Sequence, residues 1–161
     1  MFIFKAERST HVLDTKYYQV ISVINAETNV GAVITHWGKV NLGATLLPKT
    51  HGQRGIEMLT NGVRSASNSA RRNKEKRGYE DWLKVTEMNY GTLHEMSAVL
   101  GNWFKDEDRN AIIKHLDSYA ASKHHYAILD DVEESNPEVM VHTVVSDPLA
   151  NIERDVRWGS W

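Results

Sequence analysis

Seven basic side chains are concentrated between residues 64 and 84, where they outnumber three acidic ones and leave a local net charge of +4. They are Arg64, Arg71, Arg72, Lys74, Lys76, Arg77 and Lys84. Side chains of this kind contact nucleic-acid phosphates without regard to sequence, and such binding weakens as the salt concentration rises. The alternative is that this basic stretch is the solvated end of a helix, as charge runs usually are.

Trp37 precedes the basic stretch and is followed by Gly38 and Lys39. An exposed tryptophan beside a basic surface can stack on a base or a sugar, which is worth roughly 1–3 kcal/mol. The alternative is that Trp37 belongs to the core. The candidate nucleic-acid-binding residues are therefore Trp37, Gly38, Lys39, Arg64, Arg71, Arg72, Lys74, Lys76 and Arg77.

Other residue patterns lack the spacing that catalysis or metal binding requires. His115, His124 and His125 do not show the i, i+4 pairing with a glutamate that marks a hydrolytic zinc helix. No phosphate-cradling or dinucleotide-binding glycine motif is present. Helix capping and solvation explain the carboxylates of Asp106–Asp108 and Asp130–Glu134. We therefore expect a nonenzymatic protein without a metal ion or cofactor.

Hydrophobic periodicity predicts the elements that position the candidate residues. Residues 2–4 can start a strand, and Arg8–His11 has the composition of a loop. Tyr17–Ile24 alternates as a half-buried strand does. Gly31–His36 is a further strand after a short polar loop, which predicts an antiparallel hairpin. We expect Val40–Leu47 to continue the sheet.

Apolar residues between Ile56 and Ala70 recur at intervals of three and four, the pattern of an amphipathic helix over about Gln53–Arg77. Gly78 follows where a left-handed residue commonly ends a helix. The first half of the chain is thus expected to be a small antiparallel sheet packed on a helix.

The second half of the chain has helical and then extended patterns. Leu93–Trp103 carries one apolar stripe, and Asp106–Asp108 places negative charge ahead of another stripe at Ile112–Ala120. Tyr126–Leu129 and Val139–Val145 have strand character. These patterns predict an α+β protein in which a mostly helical C-terminal region with one or two strands follows the sheet and helix.

The order of these residues resembles the WGR domain family. The family pattern opens a strand with Lys-aromatic-Tyr, continues with hydrophobic-x-x-x-Trp-Gly-Arg-Val and a glycine, and passes through a helix to a basic stretch closing on Gly-Tyr. The matching segments are Lys16–Tyr18, Val33–Val40, Gly43 and Arg71–Tyr79. The resemblance covers residues 1–84, and residues 85–161 form an acidic extension.

WGR domains occur in DNA-damage-responsive poly(ADP-ribose) polymerases and in stand-alone bacterial and phage proteins. The resemblance implies a module that engages DNA near ends or nicks, with Trp37 against a terminal nucleotide and basic residues on phosphates. Lys39 stands where the family has arginine, so the bidentate contacts of a guanidinium are lost. The loop from Gly43 to Gln53 also departs from the family pattern. The remaining residues are too few for a polymerase domain, so ADP-ribosylation is not implied.

Charge is divided unevenly along the chain. Residues 1–84 hold 13 Lys and Arg and 7 Asp and Glu, whereas residues 85–161 hold 6 and 14, which gives net charges of +6 and −8. Such asymmetry indicates different partners for the two halves, or halves that face each other. The acidic half has three interpretations: it binds a basic protein partner, it limits nonspecific DNA binding, or it completes the core.

Composition bounds the compartment and the class of protein. With 161 residues, 41% of them hydrophobic and 25% charged, the chain resembles an ordinary globular protein. It contains no cysteine and no apolar run near the roughly 20 residues that span a bilayer.

We expect a cytoplasmic protein (in the host cytoplasm if viral) that binds DNA without catalysis. The alternative is a protein-interaction module, such as a phage-type inhibitor or modulator of a host factor. RNA as the ligand and the oligomeric state stay open.

Overall fold

A five-stranded antiparallel sheet dominates the computed structural model, which describes residues 1–41, 43 and 45–130 (the backbone alone for 121–130). Its strands lie in the order β4-β3-β2-β1-β5. The strands are β1 (Phe2–His11), β2 (Lys16–Asn25), β3 (Gly31–Lys39), β4 (Gln53–Leu59) and β5 (Tyr79–Tyr90). Every neighbouring pair is antiparallel, and β2 lies at the centre.

Helices cover both faces of this sheet. They are α1 (Val63–Glu75), α2 (Leu93–Trp103) and α3 (Asp106–Asp130). The α2 helix begins at a capping box, in which Thr92 accepts a hydrogen bond from the backbone N–H of Glu95 and the Glu95 carboxylate accepts one from that of Thr92. In the described part of the chain, no helix is both long and apolar enough to span a bilayer.

Alternation along β2 divides the core into two clusters. Tyr18, Val20 and Ile24 share one cluster with Val63 of α1. Ile21 and Val23 belong to the other, where α2 and α3 pack. Successive side chains of a strand point to opposite faces, and both faces of this sheet are covered. Every residue of β2 after Lys16 is consequently buried.

The predicted α+β class is confirmed, with a sheet packed on a helix and further helices after it. The β2–β3 hairpin, the helix over Leu93–Trp103 and the helix after Asp106 are confirmed as well. Gly78 has the expected left-handed backbone, at φ +92°.

Several predictions about local structure were wrong. The segment Arg8–His11 belongs to β1, because it pairs with β2 on one side and β5 on the other. Gln53–Leu59 is the strand β4, so the helix begins only at Val63. Ile56 lies opposite Ile34 of β3, and this long-range pairing overrides the helical spacing of its neighbours.

Three further expectations concern single segments. The described residues of Val40–Leu47 form no strand. Tyr126–Leu129 is helical and belongs to α3, and Tyr79–Tyr90 is a strand that periodicity did not predict. The predicted strand at Val139–Val145 lies outside the described residues. One compact unit spans Met1–Tyr126, and residue 84, where the expected WGR-like segment ends, falls within β5.

Candidate nucleic-acid interface

An aromatic cluster lies on the face of the sheet that α1 covers. Trp37 of β3 lies directly opposite Tyr18 of β2, and their rings stack with centroids 6.2 Å apart and planes 21° apart. Tyr79 and Trp82 of β5 approach the same Tyr18 ring at 6.0 and 6.5 Å. Trp37 is half-buried, so it packs on the core and still reaches the surface.

A pocket of about 260 Å³ opens beside this cluster, where β2 begins and β3 ends. Its lining combines aromatic rings, two lysines and an amide side chain. The lining residues are Lys16, Tyr17, Trp37, Gly38, Lys39, Gly52, Gln53 and Tyr79. All three residues of the Trp37-Gly38-Lys39 tripeptide therefore border one concave site, which we call the Trp37 pocket.

Lys16 of β2 and Lys39 of β3 lie opposite each other where these strands line the Trp37 pocket. Lys16 and Lys39 are direct partners in the β2–β3 register, and both are exposed. Like charges in such positions destabilise a strand pair. Asp14 offsets part of this repulsion with an ion pair 2.9 Å from Lys16 Nζ, and its hydrogen bond raises the pKa of that lysine. Lys39 has no ion pair among the described residues, so the Trp37 pocket retains net positive charge.

A buried hydrogen-bond network supports the floor of the Trp37 pocket. His36 Nε2 lies 2.6 Å from the carbonyl oxygen of His51 and 2.9 Å from the Tyr17 hydroxyl. Because a carbonyl oxygen only accepts, Nε2 carries the proton and donates it. His51 Nε2 in turn donates to the carbonyl of Lys39 at 3.0 Å. The network ties the loop before β4 to the end of β3, and burial lowers the pKa of His36.

Gly38 and Gly52 allow two segments of backbone to touch behind the pocket. A Cβ at residue 38 would lie 3.1 Å from Gly52 Cα and 3.2 Å from the Tyr17 hydroxyl. Gly52 also has a positive φ of 66°, which favours glycine. The glycine of the tripeptide thus serves a close approach of backbone, in addition to lining the pocket.

Lys74 covers the aromatic cluster. Its Nζ lies 4.5 Å from the centroid of the Tyr18 ring and 5.9 Å from that of Tyr79. A lysine over an aromatic face is a cation–π contact. Burial, with a smaller contribution from the Arg77 charge, lowers the pKa of Lys74. Among the predicted basic residues that the structure describes, Lys74 is the one with a cation–π contact to these rings.

The remaining basic residues of α1 differ in their availability. Arg71 forms ion pairs with Glu7 at 3.5 Å and Glu75 at 3.3 Å, so its charge is partly used within the fold. The exposed side chains of Arg72, Lys76 and Arg77 form no ion pair within the described residues.

Arg64 lies apart from these three because it belongs to the first turn of α1. At 1.5 Å per residue it stands roughly 16 Å along the axis from the last residue of the helix. Arg72, Lys76 and Arg77 therefore lie at or just after the C-terminal end of α1, and Arg64 lies at the far end of the helix.

Contacts of the backbone join the end of α1 to the pocket. His11 Nε2 donates to the carbonyl of Arg77 at 2.8 Å, and Val12 N–H donates to that of Gly78 at 3.0 Å. Tyr79, which follows at once, lines the pocket and meets the His11 ring edge-on at 5.1 Å. The basic helix end and the Trp37 pocket thus form one continuous surface.

Five residues that line the Trp37 pocket were not among the predicted site residues: Lys16, Tyr17, Gly52, Gln53 and Tyr79. Lys16, Tyr17 and Tyr79 belong to the Lys-Tyr-Tyr and Gly-Tyr ends of the sequence pattern, and this pattern could have identified them as site residues. No pattern in the sequence pointed to Gln53, because its position in the pocket depends on the pairing of β4 with Trp37 of β3.

Comparison of the chain with protein-family models, with curated proteins and with solved structures gives no match. Across the described residues, no three His, Asp or Glu side chains are grouped as ligands of a metal ion. The functional assignment consequently depends on the geometry of the Trp37 pocket and its surroundings.

Proposed function

We propose that this protein binds nucleic acid, DNA in the first instance, without catalysing a reaction, and that it does so as a WGR-like module. One observation carries the proposal: the Trp37 pocket combines aromatic walls with two lysines at its rim, Lys16 and Lys39. Aromatic rings accept any base by stacking, and lysines hold the phosphates on either side of it.

The two halves of the surface supply different parts of the binding energy. Trp37 is stacked by Tyr18 on one side, and its exposed part offers area to a base or sugar in the pocket. Arg72, Lys76 and Arg77 extend the positive charge beyond the pocket along the end of α1. Binding is expected to depend on salt and to tolerate many base sequences, since phosphate contacts carry no sequence information.

Lysine replacement gives the direct test, measured by fluorescence anisotropy on labelled duplex, nicked and single-stranded DNA over a salt series. Lys39→Gln should weaken binding and reduce the slope of log K against log salt by roughly 0.7–0.9, the value for one lost phosphate contact. Lys105→Gln is the matched control, because Lys105 is also exposed and lies between α2 and α3, beside the opposite face of the sheet. The proposal fails if the wild-type protein shows no salt-dependent binding to these DNAs or to RNA of the same length.

A second candidate function is a protein-interaction module. Leu83, Val85 and Met88 of β5 are exposed apolar residues, and β5 is an edge strand of the sheet within the described residues. Exposed edges of this kind pair with partner strands. This function predicts negligible DNA affinity at physiological salt and a stoichiometric protein complex that Leu83→Lys disrupts. A basic partner for the acidic region 85–161 belongs to the same candidate.

A further inference from the structure

The turn between β1 and β2 exposes two consecutive apolar side chains. Val12 is 55% exposed and Leu13 is 90% exposed, the highest value among the large apolar residues that the structure describes. The turn itself is built by the residues that follow, since the Asp14 side chain accepts a hydrogen bond from the Thr15 N–H at 2.8 Å. The Leu13 side chain therefore contributes neither to the core nor to the hydrogen bonds that shape the turn.

This turn is held firmly in place although its apolar side chains are free. His11 donates through Nε2 to the carbonyl of Arg77 and accepts through Nδ1 from the N–H of Leu13, 3.2 Å away. The neighbouring N–H of Val12 donates to the carbonyl of Gly78. Gly78 is required there, because a Cβ at this position would lie 2.9 Å from His11 Nε2. The turn is thus bonded directly to the basic end of α1.

Positive charge lies on both sides of the turn. On one side Lys16 follows Leu13 by three residues, and its cross-strand partner Lys39 forms no ion pair within the described residues. On the other side Arg77, with Lys76 before it, is attached through the hydrogen bond of His11 to its carbonyl. The charge of Asp14 in the turn is compensated by Lys16 at 2.9 Å. An apolar side chain that projects between cations suits a polyanion with an apolar interior, and stacked bases between two phosphate chains have this character.

We propose that Leu13 is a wedge that inserts at a base step of the bound nucleic acid and partly unstacks it, while the cations on either side hold the phosphates. Leucine is among the residues that enter base steps in this way, where they kink or open the duplex. The inference depends on the proposed function, and it adds a deformation of the ligand that backbone binding and Trp37 stacking alone do not require.

The test uses the full chain and DNA duplexes that carry 2-aminopurine, at an internal step in one duplex and beside a nick in another. Wild-type protein should raise the 2-aminopurine fluorescence as the base unstacks. Leu13→Ser should abolish most of this rise and weaken binding roughly fivefold or more, because the apolar leucine side chain is no longer buried between bases. The slope of log K against log salt should stay the same, because no phosphate contact is lost.

Leu83→Ser is the matched control, since Leu83 is 70% exposed and lies opposite Arg8 on β5, away from the turn. It should leave the fluorescence and the affinity unchanged. The inference is overturned if Leu13→Ser binds and unstacks DNA as wild type does, or if both serine variants lose binding equally. It is also overturned if Leu13→Ser converts a dimer to a monomer in light scattering, which would make a second copy the occupant. Absence of all wild-type binding would instead refute the proposed function itself.

Discussion

Trp37 and Tyr18 are cross-strand partners whose rings stack nearly in parallel, with 21° between their planes, so one side of the Trp37 ring is occupied within the fold. Trp37 consequently has two roles, since it packs in a core cluster and it lines the Trp37 pocket. The two alternatives suggested by the sequence, core residue and stacking residue, are compatible. The effects of substitutions at Trp37 must therefore be measured both on the stability of the fold and on nucleic-acid binding.

Trp37→Ala should lower the free energy of unfolding by about 2 kcal/mol, because a half-buried aromatic ring loses its packing on Tyr18. Trp37→Phe should keep most of that packing, so its loss of free energy of unfolding should be less than half that of Trp37→Ala. Urea unfolding gives both values, and DNA binding is then measured at a temperature at which both variants are folded. Folded Trp37→Ala that binds DNA as tightly as the wild-type protein would show that Trp37 is a core residue only.

Arg71 and Arg72 are neighbours in sequence with different expected effects. Arg72→Gln should leave stability within about 0.5 kcal/mol of wild type and reduce the salt dependence of DNA binding, because its side chain is exposed and forms no ion pair with the described residues. Arg71→Gln should cost up to about 1 kcal/mol of stability, since it removes ion pairs to Glu7 and Glu75.

Each variant serves as the control for the other in paired unfolding and salt-titration experiments. If the two substitutions changed DNA binding equally, the ion pairs of Arg71 would not distinguish its role in binding from that of Arg72.

Protonation of buried His36 should make the fold less stable in acid. Burial lowers its pKa below the ordinary value of 6.5, so the unfolded chain takes up this proton first as the pH falls. Stability from this source is therefore complete above about pH 6.5 and decreases as the pH falls below it, by at most about 1.4 kcal/mol per pH unit. A series of urea unfolding experiments between pH 7.5 and 5 measures how steeply the free energy of unfolding changes with pH.

His36→Gln isolates this contribution from the other histidines. Glutamine cannot take up the proton, so the variant should be less stable at neutral pH, where the bond to the His51 carbonyl is disturbed, and less sensitive to acid. A variant with the same pH slope as wild type would assign the acid sensitivity to other groups.

Gly38→Ala should destabilise the fold by about 1–3 kcal/mol, because its Cβ would press on Gly52 and on the Tyr17 hydroxyl. It should also weaken DNA binding, since the same contacts shape the Trp37 pocket. Gly91→Ala is the control: a Cβ there meets only Glu95 Oε2, at 3.6 Å. Thermal unfolding of the two variants tests the comparison, and equal stability would show that the backbone can move apart without loss.

Local patterns in the sequence determined much of this fold. Alternation predicted the β2–β3 hairpin, and apolar stripes predicted α2 and the start of α3, because these features depend on residues close in the chain. The basic end of α1 was also evident from composition. A helix was wrongly expected at Gln53–Leu59, where neighbouring residues alone cannot reveal the pairing with β3.

The pocket, by contrast, was decided by tertiary structure. Lys16 and Lys39 become neighbours only through the β2–β3 register, and Tyr79 reaches them only because β5 pairs with β1. The sequence by itself determined that Trp37-Gly38-Lys39 lies at a strand end and that a basic helix end follows. Only the long-range strand pairing decided that these segments share one surface, because hydrogen bonds between strands bring together residues that are distant in the chain.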